Sequence, residues 1–433
     1  MKTAHWIAAL MLLPLAVLAD TFVVRGATVH TVGARGTLAR ADIVVENGVI
    51  REVGANVDVP SGARVIEAEG KIITPGLFTP MGQIGVTEVN AVDGTNDYLQ
   101  RGADFSAGFD LADAFNPNST LIAVNRIEGV TRAAVTPSGS GPDENGNVSQ
   151  VLSGLGAIVH LGGADQPIVK RHAMLVIQTG ERGARLAGGS RAVALQKLRT
   201  AFDDAIDYAA NRAAYDSGNR RAYSVSRADL EALQPVLQGD IPVLALADRA
   251  SDIRNLVKLA GAYKLRMIIA GGTEAWMLAD EVAAANVGVI LSAVSNLPDN
   301  FDELNARLDS AALLADAGVA ISFGIDRQAV NHNARNITQA AGIAVAYGLT
   351  WENALRAITL TPAEFYGVAD SVGSIEAGKD ADLVIWPADP LELTSFPEQV
   401  FIRGNAIPMQ SRQTLLRDRY LKTDSTLPPA FRR

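Results

Sequence analysis

The chain is long enough to bury a large core, and its composition excludes several classes of protein. It has 433 residues, of which 48% are hydrophobic and 20% charged, which is ordinary for a folded globular protein. The formal net charge of −9 disfavours binding to nucleic acid or anionic membranes, since both need clustered cationic residues. The absence of cysteine excludes disulfides and thiol nucleophiles. Small molecules and other proteins remain as partners.

The first segment, 1–19, has the pattern of a cleavable secretory signal. Lys2 precedes an apolar run over 7–18, which is shorter than the roughly 20 residues that span a bilayer. Val17-Leu18-Ala19 then precedes Asp20, as at a cleavage site. The sequence therefore predicts an exported, periplasmic protein with no membrane attachment after cleavage.

Both ends of the mature chain have β character. Over 20–75, short runs of β-branched residues alternate with turn residues, and Asn47-Gly48 is a strong hairpin signal. Over 373–410 the same character returns. The remaining segment, 411–433, is predicted to be a polar tail that begins with a helix able to dock on a neighbour.

The middle of the chain, 76–372, alternates apolar β-rich runs with helical patterns, as expected for repeated βα units and a parallel sheet. Helical periodicity covers 251–262, 274–285 and 301–317, and the stretch 189–238 is predicted to be a helical insertion. One α/β barrel of roughly 250 residues would account for this region. The candidate strands are 77–82, 131–136, 156–160, 173–178, 242–247, 266–270, 287–292 and 319–324.

Three separated blocks of sequence carry a family resemblance. The first runs from the N-terminal β segment into 70–77, with the sequence GKIITPGL; the others cover 242–252 with 271–276, and 348–363 with 373–384. In these blocks the chain resembles the amidohydrolase superfamily, nearest its imidazolonepropionase-like branch. The resemblance implies an α/β fold class: a (β/α)8 TIM-like barrel over 76–372, beside a small β-sandwich domain built from 20–75 and 373–410.

The resemblance also implies positions for metal ligands, and other residues occupy most of them. In the family a His-x-His pair on the first strand directs two imidazoles to one metal, and here Met81 and Gln83 stand at those positions. Leu175 aligns with a lysine on the fourth strand and Leu246 with a histidine on the fifth. These side chains cannot replace the family's zinc ligands. We therefore expect no bound cofactor, the alternative being a divalent metal such as zinc at a non-standard site.

Two residues near the eighth strand remain as catalytic candidates. Asp326 resembles the aspartate that in the family binds metal and shuttles a proton. His332 follows it and is the best remaining candidate for acid–base chemistry, because an unperturbed imidazole titrates near pH 6.5. Each also has a structural interpretation, as a loop-capping or salt-bridged aspartate and as a loop histidine with ordinary hydrogen bonds.

Two functional hypotheses follow from these residues. In the first, the barrel is a catalytically impaired subunit that binds a small-molecule ligand and pairs with a metal-competent amidohydrolase. In the second, it is an active hydrolase of a cyclic amide or similar substrate, cleaving a non-peptide carbon–nitrogen bond through Asp326 and His332. Met81, Leu175 and Leu246 favour the first, because apolar side chains relieve the cost of an unfilled buried polar site.

Overall fold

Two β-sheets organise the described part of the chain, which in this computed structural model comprises residues 21–100, 103–139, 151–163, 165–294, 297–324 and 333–421. The first sheet draws its strands from both ends of the chain. Its strands are β1 (Phe22–His30), β2 (Thr37–Glu46), β3 (Val49–Gly54), β4 (Arg64–Glu67), β5 (Ile72–Pro75), β14 (Leu383–Trp386), β15 (Gln399–Ile402) and β16 (Asn405–Ala406).

Strand pairing joins the two terminal segments. β5 pairs antiparallel with β14, which places Ile73 opposite Ile385. β2 and β3 form a hairpin whose turn residues, Asn47 and Gly48, have φ values of 54° and 80°. Such positive values are what a two-residue hairpin turn requires, so the predicted hairpin is confirmed. The apolar residues of this sheet form a hydrophobic core of their own.

The second sheet forms a nearly closed barrel. Its order is β13-β12-β11-β10-β9-β8-β7-β6. These strands are β6 (Leu77–Thr79), β7 (Val130–Val135), β8 (Leu152–His160), β9 (Ile168–Gln178), β10 (Val243–Ala247), β11 (Met267–Gly271), β12 (Gly288–Leu291) and β13 (Ile321–Phe323). Each predicted barrel strand overlaps one of them, which confirms the predicted α/β class and TIM-like barrel.

One strand departs from the expected parallel sheet. β8 pairs antiparallel with both β7 and β9. Only residues 161–167 connect β8 to β9. A parallel pair needs a crossover of a dozen or more residues, so this connection permits only an antiparallel hairpin.

Helices cover the outside of the barrel and form the predicted insertion. The predicted helix over 301–317 is only partly correct, since its helix begins at Ser310, and Asp302 is instead held by contacts with distant residues. The helices are α1 (Thr120–Arg126), α2 (Gly180–Leu186), α3 (Arg191–Ala210), α4 (Arg212–Asp216), α5 (Arg227–Ala232), α6 (Gln234–Leu237), α7 (Ala250–Tyr263), α8 (Ala279–Ala284), α9 (Ser310–Asp316), α10 (Ile337–Ala346), α11 (Trp351–Ala357), α12 (Leu360–Phe365) and α13 (Arg412–Leu421). Across the described ranges, no helix has the length and hydropathy needed to cross a membrane.

The barrel interior is apolar and is closed at one end by the segment that follows α12. Tyr366 is fully buried against Phe78 inside the barrel. The Tyr366 carbonyl accepts a hydrogen bond from Lys170 Nζ (2.8 Å), near the start of β9. The Phe365 carbonyl accepts one from Arg266 (3.3 Å), which directly precedes β11. This segment therefore closes the amino-terminal end of the barrel and leaves the carboxyl-terminal end as the open mouth.

A buried ion pair fastens the barrel to the first sheet. Arg132 on β7 donates to Asp382 at 2.5 and 3.0 Å and to Asp380 at 2.8 Å. The Arg132 residue is 1% exposed. A guanidinium buried this deeply is tolerated only with carboxylate partners, so these residues hold the two sheets in one arrangement.

Candidate ligand pocket at the barrel mouth

A pocket of about 290 Å³ opens at the carboxyl ends of the barrel strands. Four strands contribute to its wall, either directly or through the residues that follow them: β6, β7, β9 and β10. Asn300 and Asp302, from the loop after β12, complete it. In barrels of this architecture the carboxyl-terminal face carries the functional groups, which makes this pocket the candidate site.

The turn after β6 brings Met81 and Gln83 into the pocket. The Thr79 hydroxyl donates to the Met81 carbonyl (3.2 Å), and the Thr136 backbone N–H donates to the Gly82 carbonyl (2.8 Å). These bonds hold the turn against β7. Met81 and Gln83 therefore line the pocket with a thioether and an amide.

The two leucines that aligned with family ligands lie in different places. Leu246, near the end of β10, lines the pocket. Leu175 is fully buried in the layer between the barrel and its helices. Its neighbour Val176 lines the pocket instead, because successive residues of a strand point to opposite faces. The alignment that placed Leu175 at the lysine position therefore selects a side chain that faces away from the pocket.

Gln178, at the end of β9, is a polar pocket residue that sequence reasoning missed. Its side chain is 1% exposed, and its Nε2 donates to the Ser153 hydroxyl at 3.0 Å. Within the described chain its Oε1 has no hydrogen-bond partner. Buried polar atoms are normally paired, so this amide leaves a hydrogen-bonding capacity at the pocket wall.

The two residues predicted to be catalytic come after β13 in the sequence. Asp326 and His332 both lie outside the described residues. Their catalytic roles stay predictions.

A charged network supports the loop that closes one side of the pocket. Arg191 donates to Asp252 at 3.0 Å and to Asp302 at 2.5 Å. The other Asp302 oxygen accepts the backbone N–H of Glu181 at 3.0 Å. Burial raises the pKa of Asp252, and the charge of Arg191 opposes that rise. The network thus ties α2, α3, α7 and the loop after β12 together.

Arg182 contributes a cation to the rim of the pocket. Its Nη2 donates to the Ser138 hydroxyl and to the Gly139 carbonyl, both at 2.8 Å. Desolvation lowers the pKa of Arg182, the nearby Tyr98 opposes this shift, and the charge of Arg185 adds to it. The sequence offered one signal for Arg182, which is that a charged residue lies four positions beyond the predicted strand 173–178. Arg191 and Asp302 offered none, since both fall in predicted helical segments.

Comparison with known proteins identifies the family. The sequence profile described as the Amidohydrolase family matches residues 273–407. The structure superposes on a crystal structure of an amidohydrolase from Thermotoga maritima MSB8 with a TM-score of 0.79, at 25% identity, covering 90% of this chain and 100% of that one. The chain belongs to the amidohydrolase superfamily. The predicted family is thereby confirmed.

Curated relatives of this amidohydrolase-family chain match it over different extents. Amidohydrolase tasK of Hapsidospora irregularis is 24% identical over 395 residues, which are 84% of this chain and 39% of that protein. An imidazolonepropionase of Thermoplasma volcanium is 31% identical over 131 residues, 28% of this chain and 32% of that protein. The chain thus spans about two fifths or less of the length of these relatives.

The side chains at the positions predicted for the family's metal ligands do not fit a zinc ion. Zinc in proteins takes imidazole, thiolate or carboxylate ligands, whereas Met81, Gln83 and Leu246 offer a thioether, an amide and a hydrocarbon. Among the residues that the structure describes, no three or more His, Cys, Asp or Glu side chains are grouped as a metal site.

Proposed function

We propose that this chain is a binding subunit of the amidohydrolase superfamily in which the family's metal-dependent hydrolysis has been lost. The observation that carries the proposal is that Met81, Gln83 and Leu246 line one pocket at the barrel mouth. Family hydrolysis depends on a metal that lowers the pKa of bound water towards about 7. Side chains that cannot hold that metal leave a pocket suited to retaining a small molecule.

The apolar side chains at the mouth support this proposal energetically. Met81 and Leu246 pack against the hydrophobic interior of the barrel. Buried ligand residues without their metal would cost free energy, whereas a thioether and a hydrocarbon need no polar partner. A stable metal-free barrel is expected to contain residues of this kind.

Metal analysis combined with a restored variant tests the proposal. Metal content is measured by inductively coupled plasma mass spectrometry on protein purified without chelators, alongside hydrolysis of a panel of cyclic and acyclic amides. We expect less than about a tenth of an equivalent of zinc, manganese or iron and no turnover. The variant with Met81→His, Gln83→His and Leu246→His should retain more zinc after dialysis than the parent, because three imidazoles form the protein part of a catalytic zinc site.

Either of two results would contradict the proposal. One is near-stoichiometric metal in the parent protein. The other is amide hydrolysis by the parent that a chelator abolishes and added metal restores.

Export and pairing with a metal-competent amidohydrolase complete the proposal. The secretory pattern over 1–19 supports a periplasmic location, which cell fractionation with and without that segment would test. Where an intact His-x-His family member is encoded beside this gene, co-expression of the two should give a complex on size-exclusion chromatography, and separate elution of the two chains would contradict the pairing.

A further inference from the structure

Arg182 is a pocket cation without a carboxylate partner among the described residues. α2 carries it from the end of β9 to the rim of the pocket, where Nη2 donates to Ser138 and Gly139. Both acceptors are uncharged, and they leave the other guanidinium nitrogens free to donate. An arginine stays protonated in proteins, so the rim carries a positive charge that no described carboxylate pairs.

The other charged groups around the pocket have partners. Arg185 donates to Glu181 at 3.1 Å, and Asp302 receives Arg191 at 2.5 Å. Asp248 accepts the Thr273 hydroxyl at 2.8 Å and has a further interaction. Arg182 is therefore the described pocket cation that is left to pair with a ligand. Its single charge matches a ligand with one negative charge, and the carboxylates of Asp248 and Asp302 in the same lining disfavour a second.

The part of the pocket nearer the barrel axis is apolar. Met81, Val176, Leu244 and Leu246 line it, and its volume of about 290 Å³ suits a small molecule. A bound molecule can thus place an apolar body among these side chains and a charged end at the rim. The planar guanidinium matches a carboxylate through two parallel N–H···O hydrogen bonds.

We propose that the pocket binds a small organic monocarboxylate, with its carboxylate on Arg182 and its apolar body against Met81 and Leu246. This inference rests on the proposed function, since it names the ligand class of the same pocket. A bound carboxylate would give Arg182 the charged partner that none of the described residues supplies, beside the uncharged acceptors Ser138 and Gly139.

Isothermal titration calorimetry with matched probes tests the inference. The probes are straight-chain monocarboxylates from butanoate to decanoate and 3-phenylpropanoate, each paired with its primary amide, together with hexyl phosphate. Each is titrated into the parent protein and into the Arg182→Met, Arg182→Lys and Arg254→Met variants. Arg254→Met removes the same charge from an exposed pair with Glu281, outside the pocket.

At least one carboxylate should bind the parent about tenfold or more tightly than its amide, because charge-assisted, bidentate hydrogen bonds from a guanidinium to a carboxylate are stronger than those to a neutral amide. Arg182→Met should abolish this preference, Arg182→Lys should retain part of it, and Arg254→Met should retain all of it. Thermal unfolding of each variant confirms that the proteins compared are folded.

Several results would overturn the inference. They are the absence of carboxylate binding to the parent, equal affinity for acid and amide, a preference that survives Arg182→Met, and tighter binding of hexyl phosphate than of hexanoate. Running the titrations on chelator-treated protein separates this inference from the proposed function. Metal-dependent hydrolysis would overturn the proposed function while leaving an Arg182-dependent preference intact, whereas metal-free protein without that preference would overturn this inference alone.

Discussion

Met81 packs against Gly324 across the mouth of the barrel. If Gly324 carried a Cβ, that atom would lie 3.5 Å from the Met81 Sδ. The contact joins the turn after β6, the first barrel strand, to the residue that follows β13, the last. Ile290 lies on the other side of Gly324, and its Cγ2 would be 3.0 Å from the same added Cβ. The gap between the two ends of the sheet is thus filled by a thioether at a position where a family ligand is expected.

Replacing Gly324 with alanine should destabilise the barrel. The added methyl group would press on Ile290 Cγ2 at 3.0 Å in a buried layer, with Met81 in ordinary contact on its other side, and such overpacking costs about 1–3 kcal/mol in the free energy of unfolding. Urea denaturation measures this change. Gly261→Ala is the matched control, because that exposed helical position has no atom within 4 Å of the new Cβ. The packing described would be contradicted if Gly324→Ala lowered the free energy of unfolding no more than Gly261→Ala does.

The fold could be predicted from the sequence because its signals are local. Apolar runs bounded by turn residues located every barrel strand, and Asn47-Gly48 located a hairpin. The direction of β8 could not be read in this way, since it depends on the length of the connection to β9. The helix predicted over 301–317 failed in its first half because Asp302 bonds to Arg191, 111 residues away along the chain.

The pocket could be predicted only where a motif with fixed spacing marked it. Met81, Gln83 and Leu246 were found by alignment with the family's ligand positions, and all three line the pocket. Leu175 shows the limit of that procedure, because an error of one residue in a strand moves a side chain to the opposite face. Arg182 was missed because its position at the rim depends on how α2 packs against the loop after β7.

Removing the charge of Asp382 should destabilise the whole protein. Asp382→Asn would leave the buried guanidinium of Arg132 without its bidentate partner, and breaking a buried pair costs about 3–5 kcal/mol. Glu281→Gln breaks the exposed pair with Arg254 and should cost no more than about 1 kcal/mol. Chemical denaturation of both variants provides the comparison. Equal losses would show that Arg132 does not depend on Asp382 for its burial.

Stability should fall on acidification through His160. Burial and then the charge of Arg132 lower the pKa of His160 from its ordinary 6.5, with Arg403 acting in the same direction and Asp382 opposing them. His160 therefore binds a proton less readily in the folded state than in the unfolded state. The contribution is fully present above pH 6.5 and is lost as the pH falls from there towards the lower folded pKa.

Denaturant titrations between pH about 7.5 and about 5 measure this loss. The His160→Gln variant should show a smaller decrease in unfolding free energy than the parent over that range. His172→Gln, at an exposed histidine bonded to Asp110, should leave the decrease due to His160 in place. An unchanged pH dependence in His160→Gln would refute the assignment.

Arg191→Met should weaken the wall of the pocket in a pH-dependent way. The substitution removes the partner shared by Asp252 and Asp302, and the lost hydrogen bonds to charged groups should cost about 2 kcal/mol near neutral pH. Burial already raises the pKa of Asp252 above 3.8, so the folded state prefers the protonated acid. Without the charge of Arg191, which opposes the rise, the pKa of Asp252 in the folded state should be higher still. The deficit should therefore be largest at neutral pH and shrink as the pH falls towards that of carboxyl protonation.

Urea unfolding at pH about 7.5 and about 5 distinguishes this mechanism from a simple loss of packing. Arg254→Met is the control, because it removes an arginine from an exposed pair and should show little deficit at either pH. Limited proteolysis adds a local measurement, since the loop that contains Asp302 should be cut sooner in Arg191→Met than in the control. A deficit that is equal or larger at the lower pH would show that charge compensation is not what Arg191 supplies. The pocket wall would then depend on how the guanidinium group of Arg191 packs and not on its charge.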